Sequence, residues 1–170
     1  RAAWAMYEAG ERFRREVPEG VPPIGRTRVG LHWGEAIVGN FGGEGRIQYT
    51  ALGDSMNTAA RLEAANKTLN TTVLASKAAA ERSGLDWWRP VGRVILRGRS
   101  TPVDIFEPVP EATAEDRSYL QEILRRHDAG DAAAVRELET RASTNVRDAA
   151  LANLVYRLQH TTPGGSYDLG

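Results

Sequence analysis

Asn57 and Arg61 stand four residues apart in an alanine-rich run, a spacing that puts both side chains on one face of a helix. The amide both donates and accepts, and the guanidinium is a fixed cation, so together they suit a ligand that carries hydroxyls and phosphate. Taken alone, such a pair is the ordinary solvated face of a helix. Arg97 and Arg99 flank Gly98 at a strand-to-turn position, where they either reach an anion or simply face solvent. Gly39, Gly42, Gly43 and Gly45 have the density of a phosphate-cradling loop but lack its Lys-Ser/Thr ending, and read better as a hairpin turn. His32, beside Trp33, has no nucleophile next to it and reads as a strand residue satisfied by hydrogen bonds rather than a general base.

The elements that would position these groups alternate. Ala2, Ala5, Met6, Ala9 and Phe13 recur at helical spacing up to about residue 16, and the Pro- and Gly-rich stretch 17–25 is a loop. Strands are expected over 26–32, 36–38 and 47–52, the last two forming a hairpin. Asp54 or Ser55 is a good N-cap for a helix that Asn66 and Lys67 would end. A strand over 71–75, a short helix capped by Ser76, and strands over 87–96 and 103–109 follow. Residues 1–108 therefore read as an α+β unit, and 109–170 as a helical extension and tail, with helices over 115–127, 132–142 and 146–159 and a loop from Thr161. The extension either packs against the main unit or binds a partner as a helical repeat; packing is the better reading, because a repeat array needs about three units to stand alone.

Composition narrows the class. In 170 residues, 22 Lys and Arg balance 22 Asp and Glu, which leaves no basic field for nucleic acid or an acidic membrane. No apolar run approaches the roughly 20 residues that cross a bilayer, and the start lacks the apolar region of a signal peptide. With no Cys there is no disulfide, thiolate nucleophile or Cys-held metal, and the three His are too scattered to suggest a metal cluster. The chain opens at Arg1 inside a running helix, and so reads as a stretch from within a longer protein.

The combined wording of these motifs is more specific than any of them. Arg28-Val-Gly-Leu-His-Trp-Gly-Glu-Ala-Ile-Val-Gly-Asn-Phe-Gly-Gly, then Tyr49-Thr-Ala-Leu-Gly-Asp-Ser-Met-Asn-Thr-Ala-Ala-Arg-Leu-Glu, resembles the second half of the class III nucleotidyl cyclase catalytic domain, closest to bacterial adenylate cyclases. The resemblance continues through Leu96-Arg-Gly-Arg with Pro102-Val103 and covers residues 1 to about 108. It implies the C-terminal part of a ferredoxin-like α+β fold, and a parent protein that converts ATP to 3′,5′-cyclic AMP and pyrophosphate as a head-to-tail homodimer.

Carried over by position, the resemblance makes Asn57 the ribose-orienting residue and Arg61 the transition-state cation. Thr50, seven residues before Asn57, falls at the purine-selecting position and favours adenine; Arg97 falls where the family has a triphosphate-binding Lys. The family's two metal-binding Asp residues, which would hold Mg²⁺ or Mn²⁺ in the parent, and its adenine-contacting Lys are expected upstream of Arg1, so this stretch alone is not expected to catalyse. The location implied is the cytoplasm, or the cytoplasmic domain of a membrane-anchored protein. A catalytically retired module used for dimerisation or regulation, and a guanylate cyclase, are the alternative readings.

Overall fold

Helix α1 (Ala2–Arg15) leads into the expected loop, and the first strand, β1 (Val29–Leu31), keeps only three residues of the extended stretch predicted over 26–32. The computed structural model describes residues 1–43 and 45–170. Strands β2 (Ile37–Gly43) and β3 (Arg46–Leu52) pair antiparallel, from Ile37 opposite Leu52 to Gly43 opposite Arg46, so the predicted hairpin forms, but residues 39–43, expected in its glycine-rich turn, are paired strand instead. Glu44, in the glycine-rich turn expected between them, lies outside the described residues.

Helix α2 (Asp54–Leu69) departs from the sequence reading at both ends. Its N-cap is Gly53, with no side-chain cap bond, at a φ of 147° that side-chain-bearing residues rarely adopt. Asp54 is instead the first helical residue, where its charge complements the helix N-terminus. At the other end, Asn66 does not stop the helix. It is fully buried, donates its amide to the carbonyls of Val29 and Leu62 at 3.1 Å each, and accepts the Thr71 hydroxyl at 2.8 Å. The helix runs on to Leu69 and closes with Asn70 in the left-handed conformation.

Gly30 sets how closely α2 lies on β1. A Cβ there would stand 2.1 Å from the Ala59 carbonyl oxygen and 2.4 Å from the Glu63 nitrogen, so only a hydrogen fits. Beyond it come β4 (Val73–Ser76), α3 (Lys77–Arg82) with Ser76 accepting the Ala79 N–H as its cap, β5 (Trp88–Ile95) and β6 (Pro102–Pro108). The residues buried between α2 and the sheet include Leu62, Leu69, Leu74, Val94, Leu96 and Ile105. Each such side chain contributes about 1.5–3 kcal/mol.

The C-terminal part is helical, as composition suggests. Helix α4 (Ala114–Asp128) starts at a capping box formed by Thr113 and Asp116. Helices α5 (Ala132–Thr144) and α6 (Ala149–Gln159) follow, the last starting three residues later than predicted because Asp148, not a residue before Val146, caps it. Ile123, Leu138 and Leu154 centre a second apolar cluster among these helices. The tail is not all loop: Tyr167–Asp168 form β7, which pairs parallel with β5. The sheet order is β1-β4-β6-β5-β7, with β1 and β4 parallel and β6 antiparallel to both β4 and β5. A mixed sheet with helices segregated from it is the α+β class expected.

Candidate functional site

The exposed side of α2 and the end of β5 face each other across an open cavity of about 610 Å³. Asn57 and Arg61 line it from successive turns of the helix, and Arg97, two residues beyond β5, lines it from the opposite side. Ala60, Ala64 and Ala65 supply the helix side of the floor, so the residues that give α2 its helix propensity also leave room beside it. Lys67 and Thr68, from the last turn of α2, and Leu169 complete the lining. Three cations and no carboxylate line the cavity, which suits a polyanionic ligand.

Two contacts fasten the turn after β5 to α2. Arg61 Nη1 donates to the Gly98 carbonyl at 3.2 Å. Arg99 binds the Asp54 carboxylate through both terminal nitrogens, Nη2 to Oδ2 at 2.8 Å and Nη1 to Oδ1 more closely. The Arg99 hydrogen bond holds the Asp54 carboxyl below its usual range and the guanidinium above its own. The two arginines around Gly98 thus do different things: Arg99 is engaged with the helix start, whereas Arg97 is exposed and faces the cavity.

Thr50 is not brought to this cavity. It lies exposed on β3, opposite Gly39. His32 sits just after β1 with Nδ1 2.9 Å from the Ser76 hydroxyl; burial lowers its basicity, opposed by the Asp54 charge. It is the satisfied strand-end residue expected, and Ser76 serves it while also capping α3. Lys67, Thr68 and Leu169 were missed by sequence reasoning. Helical spacing puts Thr68, seven residues on, over the face of Arg61, which was a usable signal. Lys67 lies about a third of a turn away from that face, and Leu169 gave no signal, because its place depends on pairing far along the chain.

Among the described residues no three His, Asp or Glu side chains gather as a metal site. The amide, guanidinium and ammonium groups of the cavity do not fit a divalent cation.

No protein-family model matches the chain. It is 44% identical over 110 residues to Adenylate cyclase 1 of Rhizobium meliloti, an alignment covering 64% of this chain and 16% of that protein. In sequence and in fold the chain is similar to class III adenylyl cyclases. A second relative, the terminal-differentiation specific adenylate cyclase of Dictyostelium discoideum, is 34% identical over 99 residues, covering 56% of this chain and 5% of its own length. The chain thus spans a small part of the cyclases it matches in sequence. The crystal structure of the adenylyl cyclase CyaB from P. aeruginosa aligns with a TM-score of 0.52 at 27% identity, over 65% of this chain and 57% of that one. A bacterial light-regulated adenylyl cyclase shares the fold, with a TM-score of 0.53 at 21% identity, over 69% of this chain and 36% of that one.

Proposed function

We propose that the protein carrying this chain is an adenylate cyclase, which joins the ribose 3′-oxygen of ATP to its α-phosphorus and releases pyrophosphate, and that this chain supplies the ribose- and phosphate-facing side of the site. The observation that carries the reading is the meeting of Asn57, Arg61 and Arg97 in one cavity with no carboxylate in its lining. In this reading Asn57 holds the sugar so that the hydroxyl lies in line with the α-phosphate, and Arg61 offsets the charge that gathers there in the transition state. Arg97, with Lys67 near the same cavity, binds the polyphosphate. The divalent ion that the resemblance implies, Mg²⁺ or Mn²⁺, is assigned to carboxylates outside this cavity.

Thr50 selects adenine in the same proposal, from the hairpin rather than from the cavity described above. The hairpin exposes Ile37, Ile47 and Tyr49, each more than 70% accessible, which supports the proposed homodimer by offering an apolar surface to a second copy.

The test is cyclic AMP formation by the longer protein with ATP and Mg²⁺ or Mn²⁺. Arg61→Ala and Asn57→Ala are expected to lower kcat by roughly two to three orders of magnitude with less effect on KM. Unchanged turnover in Arg61→Ala removes the central catalytic assignment.

A further inference from the structure

We infer that the C-terminal segment around β7 is a working part of the nucleotide site, with Leu169 the apolar wall against which the phosphate-binding cations operate. The inference rests on the nucleotide reading above and extends it to a segment outside the stretch that resembles the cyclase domain.

Tyr167 and Asp168 pair with Val94 and Ile95, and the Leu169 N–H donates to the Ile95 carbonyl at 3.0 Å. That pairing ends where Leu96 and Arg97 begin, so it delivers Leu169 to the cavity that Asn57, Arg61 and Arg97 line. Tyr167 and Leu169 also pack on the apolar core beneath α2. An apolar side chain beside a guanidinium keeps water from its contact with phosphate and strengthens that contact.

A strand of two residues is weak by itself, and the helical extension supplies what holds it. Tyr156 of α6 meets Tyr167 edge-on at 6.4 Å. Arg157, 2% exposed, donates through Nη2 to the Val91 carbonyl at 2.7 Å, at the irregularity of β5, and through Nε to Asn153 at 2.8 Å. Asn153 in turn donates to the Thr68 carbonyl at 3.0 Å, and Thr68 lines the cavity. One face of α6 therefore links β5, β7 and the end of α2: Arg97 and Leu169 follow just after the two strands, and α2 bears Arg61. The extension positions the cavity from behind.

The experiment titrates ATP into the longer protein that carries this chain and follows the side-chain N–H signals of Asn57, Arg61 and Arg97 by NMR. Leu169→Asp is expected to weaken ATP about tenfold by placing a like charge beside the phosphates, Leu169→Ala by a few-fold, and Leu169→Met to stay within about twofold of the unsubstituted chain. Hydrogen exchange of the β5–β6 pairing, unchanged in the Ala and Met variants, keeps the comparison separate from unfolding. Equal ATP affinity in the Leu169→Ala and Leu169→Met variants, with the unsubstituted chain binding, overturns the role of Leu169 alone. No response of Asn57, Arg61 and Arg97 to ATP in the unsubstituted chain overturns the nucleotide reading and this inference with it.

Discussion

Arg99 and Asp54 form a two-pronged ion pair between the turn after β5 and the first residue of α2. The pair is exposed, so its contribution to folding is small, but it fixes the distance between Arg97 and the helix that carries Asn57 and Arg61. Asp54→Asn is expected to raise KM for ATP roughly five- to tenfold with a smaller change in kcat, and to leave Tm within about 2 °C. Steady-state kinetics of the longer protein, together with a melting curve, check both halves; partial recovery in an Asp54→Arg, Arg99→Asp exchange identifies the pair itself as the cause.

Thr50 stands on the hairpin with its side chain exposed. If its hydroxyl accepts from the adenine amino group when the site is assembled, Thr50→Val loses that partner at a cost of about 1–3 kcal/mol. The ratio of kcat/KM for ATP to that for GTP should therefore fall. A ratio that stays fixed means that Thr50 does not touch the base.

Arg89 lies between two carboxylates, with Nη2 2.6 Å from Glu107 and 3.1 Å from Asp148. Burial pushes the Glu107 carboxyl up, and the Arg89 charge opposes that shift. Arg89→Ala leaves both acids facing each other without a partner, and a loss of about 3–5 kcal/mol is expected in urea denaturation at pH 7. Because Asp148 caps α6, the same variant should loosen the extension, visible as faster hydrogen exchange in that helix.

His32 gives the fold a pH dependence of predictable sign. Its basicity in the folded chain is depressed below the usual 6.5, chiefly by burial. The unfolded chain therefore takes up the proton more readily, so the contribution is present above 6.5 and is lost as the pH falls through the lower folded-state value. Melting temperature measured between pH 7.5 and 5 should drop less in His32→Gln than in the unsubstituted chain; parallel curves would remove His32 as the source.

Local chemistry was legible in the sequence where it acted locally. Ser76 capping α3, the pairing of the hairpin, and the four-residue spacing of Asn57 and Arg61 depend on neighbours in the chain and are found as read, although the strand of the hairpin runs on through the glycines expected to turn it. Asn66 was misread because a polar residue near a helix end looks like a stop, whereas here its amide is consumed by the β1 carbonyl of Val29 and by Thr71. Asp54 was misread as a cap because its partner, Arg99, lies 45 residues on. Strand β7 is too short to have a period, and only its match to the edge of β5 makes it a strand. The convergence of Arg97 and Leu169 on one cavity is likewise a property of the sheet order, which no local pattern encodes.

The parallel pairing of β7 with β5 also sets a calendar for synthesis. Chains fold from the N-terminus as they are made, so α2 and the β5–β6 hairpin can be complete while the residues of β7 are still untranslated. A nascent chain at that stage has made Asn57, Arg61 and Arg97 but neither the helix that braces their cavity nor the strand that closes it. Competence to grip nucleotide would then arrive as a late event, after the helices α4 to α6 have been made and packed, and a ribosome stalled among them would carry a folded sheet with an unfinished site.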